Sequence, residues 1–168
     1  MLTAVGLDPN NGIYRLAYDI VDVETKTKDC WTWFLQCIQD DLELPSNANF
    51  IIIFDRQKGI MPAIIQAFLA AEHRYCLRYI HQNMKLQWRG MAFKHFLRNA
   101  ASATIVPEFD EKMEEFKKYN LKAYKWLKDI PPQHWARSYF TGGALSDVFL
   151  NNMCEVSNSK QLRAKINQ

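Results

Sequence analysis

The stretch Phe50-Ile51-Ile52-Ile53-Phe54-Asp55-Arg56 decides how the rest of the chain is read. Five consecutive apolar residues, three of them β-branched, end abruptly on a carboxylate and a guanidinium. A strand solvated on one face alternates apolar and polar residues, so an unbroken apolar run predicts a strand buried on both faces. Such strands sit in sheets covered by helices, and the flanking sequence should then alternate strand and helix.

Upstream it does. Leu2–Leu7 reads as a strand, Asp8-Pro9-Asn10-Asn11-Gly12 as a turn, and Ile13 to Val23 as the second strand of a hairpin. Trp31, Phe34, Leu35, Ile38 and Leu42 recur at helical spacing and predict a helix over Cys30–Leu44. Cys30 and Cys37 share one side of it and suit packing. Downstream, Gln57–Ala71 should be a helix with Met61, Ile64, Ile65, Phe68 and Leu69 on one side, and His73–Leu77 a short strand. Residues 1–80 thus read β-β-α-β-α-β, an α/β pattern.

From His81 to Asp129 the texture turns helical. Trp88, Met91, Ala92 and Phe96 predict one helix, widened by Phe93 and Leu97. Pro107 suits the first turn of a second, with Phe109, Met113, Phe116 and Tyr119 along it. Leu121, Tyr124 and Leu127 predict a third. A last helix is expected from Ala144 to Lys160. The domain reading is a core of residues 1–82 and 144–168 with a helical insertion at 83–143.

The composition of these 168 residues, 48% apolar and 13% aromatic, excludes wholesale disorder. No apolar run is long enough for a membrane span. The start has neither a basic n-region nor a long apolar stretch, so no secretory signal is expected. Four Cys without a C-x-x-C pair fit a reducing compartment. The net charge of +3 is unevenly spread: residues 1–50 hold three basic and eight acidic side chains, the remainder eighteen and ten. Between His73 and Pro107 there is no carboxylate, whereas Arg74, Arg78, Lys85, Arg89, Lys94 and Arg98 all fall there. Such a stretch suits a polyanion, or is simply a solvated helical face.

Two acids stand out. Asp55 follows the buried strand at the carboxyl end of a sheet, where open α/β folds place ligand sites; an Asp here also caps a following helix. Glu155 lies in Asn151-Asn152-Met153-Cys154-Glu155-Val156-Ser157-Asn158-Ser159, too rich in poor helix formers for stability alone, though a fraying helix end reads similarly. Carboxylates with amide oxygens suit Mg²⁺ or Mn²⁺ better than zinc. His73, Cys76 and His81 invite a zinc site, but no fourth ligand is evident. Trp88-Arg89, Lys125-Trp126-Leu127-Lys128 and His134-Trp135-Ala136-Arg137 interleave aromatic and basic residues. Each could stack on unpaired bases, or place its Trp in the core with solvated neighbours.

These residues resemble the transposase domain of Mutator-like elements of plants. The matching strings are Leu2-Thr3-Ala4-Val5-Gly6-Leu7-Asp8, Trp31-Thr32-Trp33-Phe34-Leu35, Asp55-Arg56-Gln57-Lys58-Gly59, Glu72-His73-Arg74-Tyr75-Cys76, and Asn151-Asn152-Met153-Cys154-Glu155 through Ser159. The resemblance implies a ribonuclease-H-like fold with an all-α insertion before the last catalytic helix. It also implies metal-dependent DNA cleavage and strand transfer by Asp, Asp and Glu with two divalent metals. Asp55 matches the second acid and Glu155 the third, with Asn151, Asn152, Asn158, Cys76 and His73 in support. The first acid, on a strand preceding Leu2-Thr3-Ala4-Val5, has no match here; Asp8 and Asp19 fall at turn and second-strand positions. Tyr79 stands where the family's C-x-x-H motif has His.

The expectation is therefore a transposase catalytic fragment, lacking the first central strand, inactive alone and weak in Mg²⁺ or Mn²⁺ binding. A sheet without that strand should show a gap or exposed edges beside Phe50–Phe54. DNA contact would fall to Arg74, Arg78, Lys85, Arg89, Lys94, Arg98, Lys117–Lys128, Lys160 and Arg163, in a nuclear protein with no membrane association that could form a homodimer. The alternatives are a nuclease completed by an acid from elsewhere, a non-catalytic DNA-associated or dimerising module, and a gene fragment that scarcely folds.

Overall fold

The computed structural model describes residues 2–7, 13–19, 27–45, 51–55 and 57–140. They divide into two compact units. One comprises the described residues of 1–48 with 57–71, the other those of 49–56 with 72–151.

In the first unit, β1 (Leu2–Leu7) pairs antiparallel with β2 (Ile13–Asp19), with an irregularity between Ala4 and Val5. Helix α1 (Lys28–Asp41) starts on Thr27, whose side chain accepts a hydrogen bond from the Cys30 amide at 3.3 Å. It buries Trp31, Phe34, Leu35 and Ile38, the stripe its spacing predicts. Leu42, just past its end, stays exposed. Cys30 and Cys37 are free thiols, half-buried on α1.

Helix α2 (Ile60–Ala67) packs against α1 and is shorter than the expected 57–71. It buries Ile60, Ala63, Ile64 and Ala67, while Ile65 and Leu69 are exposed. A stripe running to Leu69 requires the helical period to continue past Ala67. The helix ends first, so the stripe breaks. Its start is set by Gly59, at φ +87°, with the α1 backbone close behind it.

In the second unit, β3 (Ile51–Phe54) pairs in parallel with β4 (Glu72–Tyr75). The two strand pairs are separate sheets. Helix α3 (Leu77–Lys85) follows β4 directly, where the sequence reading continued the strand to Leu77 and began the helical block only at His81. Helix α4 (Met91–Ser102) begins after Gly90, at φ +126°, so Trp88 lies outside it. Phe93, Leu97, Ala100 and Ala101 form the buried face of α4 and Met91 is exposed, a rotation of the expected stripe.

Helix α5 (Val106–Tyr119) opens with Pro107 in its first turn, and Glu108 reaches back to accept from the Thr104 amide at 2.9 Å. Helix α6 (Leu121–Lys128) is capped by Asn120, which accepts from the Ala123 amide at 2.9 Å. Two single 3₁₀ turns, Pro132–His134 and Arg137–Tyr139, complete the described chain. The core of this unit gathers Leu77, Ile80, Met84, Phe93, Leu97 and Phe116 among others, and closes on Trp135. No helix among the described residues is long and apolar enough to cross a membrane. The helix expected over 144–160 lies outside the described residues.

Candidate active site and nucleic-acid surface

The parallel register fixes one end of the β3–β4 pair. Phe54 is opposite Tyr75, so Asp55 and Cys76 each come immediately after that last pair. The Cys76 amide donates to the Phe54 carbonyl at 2.8 Å, carrying the alignment into the start of α3. Asp55 is half-buried and Cys76 buried. Two positions read as parts of one site from separate motifs thus share one sheet end. Glu155, Asn151, Asn152 and Asn158, together with Lys160 and Arg163, lie outside the described residues.

Beside this end, side chains alternate along β4. His73 and Tyr75 both lie against Phe54, with ring centroids at 6.5 and 5.4 Å. His134 packs on Tyr75 at 4.8 Å, and its Nδ1 is 2.9 Å from the His73 carbonyl oxygen. Burial holds the His73 imidazole below its ordinary pKa, and the neighbouring His134 pushes the same way. Arg74 points to the other side of the strand. Its Nε donates to Glu72 at 2.8 Å, and its guanidinium lies 3.7 Å over the Phe140 ring.

Arg74 is only 3% exposed, which corrects its place among the DNA-contacting residues: a buried guanidinium already on a carboxylate is not offered to a phosphate. Arg78 and Lys94 are half-buried, and Lys85, Arg89 and Arg98 are exposed. Lys117, at the start of the second basic segment, is held by Glu114 at 2.8 Å. The cationic surface is therefore narrower than the sequence suggests.

The three aromatic-basic motifs separate. Trp135 is 2% exposed and donates from Nε1 to the Ile130 carbonyl at 3.1 Å, so it is a core residue. Trp88 and Trp126 are half-buried and meet, with ring centroids 6.0 Å apart. Sequence reading named both motifs but had no signal that they share a surface.

Among the described residues no three His, Cys, Asp or Glu side chains gather with His81, or elsewhere, as a metal set. His81 is buried on α3, and its Nε2 has no hydrogen-bond partner among the described residues. Burial lowers its pKa, and the charges of Lys85 and Lys94 lower it further. Unfolded imidazole titrates at about 6.5. Below that pH the unfolded chain takes up a proton that the native state resists, so stability falls until the depressed native pKa is reached. Urea midpoints should therefore drop as pH is lowered from neutrality through this window. In His81→Gln the drop should be smaller; an equal drop would remove His81 as its source.

Asp55 offers the hard carboxylate oxygen that Mg²⁺ or Mn²⁺ prefers. The described residues alone do not complete a site for either ion.

Residues 1–83 match the family model of the MULE transposase domain. The match takes in β1, β2, α1, β3, α2, β4 and most of α3. No curated protein matches the chain.

Proposed function

We propose, from the match of residues 1–83 to the family model of the MULE transposase domain, that the chain is part of a DNA transposase catalytic domain. The observation that carries the reading is the position of Asp55, directly beyond a parallel strand pair inside the matched segment. The reading assigns a ribonuclease-H-like core to residues 1–82 and 144–168, with residues 83–143 inserted as helices. Asp55 and Glu155 would supply two of the family's three acids, with His73, Cys76, Asn151, Asn152 and Asn158 around them.

Two carboxylates hold a divalent cation with fewer ligands and less charge than three, so binding of Mg²⁺ or Mn²⁺ is weak and residues 1–168 do not cleave DNA by themselves. DNA is the partner, which carries with it a nuclear location. A non-catalytic DNA-associated or dimerising role is the second reading.

Thermal unfolding with and without millimolar Mn²⁺ tests the assignment of Asp55. At ten times its dissociation constant a ligand stabilises by about 1.4 kcal/mol. A rise in melting temperature that Asp55→Asn abolishes is expected, and a rise unchanged in the variant would remove Asp55 from the metal site. In parallel, duplex DNA affinity should fall steeply between low and moderate salt, because bound counterions are released. Salt-independent binding would count against the DNA assignment.

A further inference from the structure

We propose that the turn between α3 and α4, together with α6, is a platform for unpaired DNA bases. The proposal rests on the transposase reading for the identity of its nucleic acid, and otherwise on this surface alone. After α3 the chain makes a tight turn in which the Trp88 amide still donates to the Met84 carbonyl at 2.9 Å. Gly90 then redirects it into α4. This short segment exposes apolar side chains: Leu86 is 81% exposed and Met91 72%. Between them, half-buried Trp88 rests on half-buried Trp126 of α6.

Exposed Leu and Met beside a Trp pair are apolar surface left in water at some cost. The charge around them says what would cover it. Residues 73–107 and 120–128, the two segments that meet here, contain no carboxylate. Lys85 lies one turn before Trp88 and Arg89 directly after it, while Lys122 lies one turn before Trp126; all three are exposed. An apolar protein partner would gain nothing from these three cations. A strand whose phosphates meet the cations while its bases lie on the indoles and against Leu86 and Met91 satisfies both features. Paired bases hide their faces inside the duplex, so the surface selects DNA with unpaired or extruded bases.

The test measures fluorescence anisotropy of a labelled oligo-dT of about 16 nucleotides, a length that covers one aromatic site, and of a duplex of equal length. Leu86→Ser/Met91→Ser changes only exposed side chains and leaves the core intact; Trp88→Leu removes the platform itself. Both variants should weaken oligo-dT binding, Trp88→Leu by about tenfold, with duplex binding altered much less. Lys122→Gln should weaken both probes and lower the salt dependence of each. Unchanged oligo-dT affinity in both apolar variants, with duplex binding intact, overturns the platform but leaves the transposase reading standing. Failure of the unaltered protein to bind either probe counts against both.

Discussion

Gly59→Ala is expected to destabilise the α1–α2 unit by more than the usual cost of a single added methyl. Two causes combine. Gly59 has φ +87°, a left-handed conformation that costs an L-residue about 1–2 kcal/mol. An added Cβ would also stand 2.6 Å from the Lys28 amide nitrogen and 2.9 Å from its Cα. Backbone cannot swing aside as a side-chain tip can, so the starts of α1 and α2 must separate. Gly90 also has positive φ, but at φ 126° and ψ 153° its backbone is closed to other residues for conformational reasons, and an added Cβ would meet only the Phe93 ring, at 3.9 Å. Chemical denaturation followed by circular dichroism should show Gly59→Ala losing clearly more than the roughly 1–2 kcal/mol of the left-handed conformation. A loss within that range would mean that backbone conformation, not the approach to α1, makes glycine necessary in Asp55-Arg56-Gln57-Lys58-Gly59.

Trp135→Ala should cost about 3–5 kcal/mol, the range for removing a large aromatic from a packed core. The indole is buried beside Phe109, with ring centroids at 5.6 Å, and its N–H is already used by Ile130. Truncation leaves a cavity and an unmet carbonyl together. Small domains hold only about 5–15 kcal/mol in total, so the second unit would lose much of its margin. Trp33→Ala removes the same side chain from a site that is 51% exposed, and should change stability by about 0.5 kcal/mol or less. Comparable melting temperatures for the two variants would refute the assignment of Trp135 to the core.

Helical period alone separates Trp31 from Trp33: two residues apart on α1, one is buried and the other exposed. It also identifies most of the buried face of α5, where Phe109, Met113 and Phe116 are buried after Pro107, although Tyr119 at the helix end is exposed. The strand at Ile51–Phe54 and the acid that follows it are legible for the same reason. The start of α3 was not. Cys76-Leu77-Arg78-Tyr79 has no side-chain cap and suits strand or helix equally, so the turn out of β4 had to decide.

Arg74 and the tryptophans mark the same boundary. Sequence establishes that a basic residue lies in a stretch without carboxylates; it cannot say that Glu72, just before that stretch, and Phe140 take up the guanidinium. It names Trp88, Trp126 and Trp135 as equal candidates for stacking or burial. Periodicity is a property of neighbouring residues, so the sequence by itself determined the buried faces of α1 and α5, the place of the strand at Ile51–Phe54 and the matched transposase segment; it did not determine that strand's burial, since Ile51, Ile52 and Ile53 are half-buried and Phe54 alone is buried. Which of those faces meet depends on contacts between distant segments. Only the tertiary structure decided that Asp55 and Cys76 share a sheet end, that Trp135 closes a core, and that Trp88 and Trp126 remain at a basic surface.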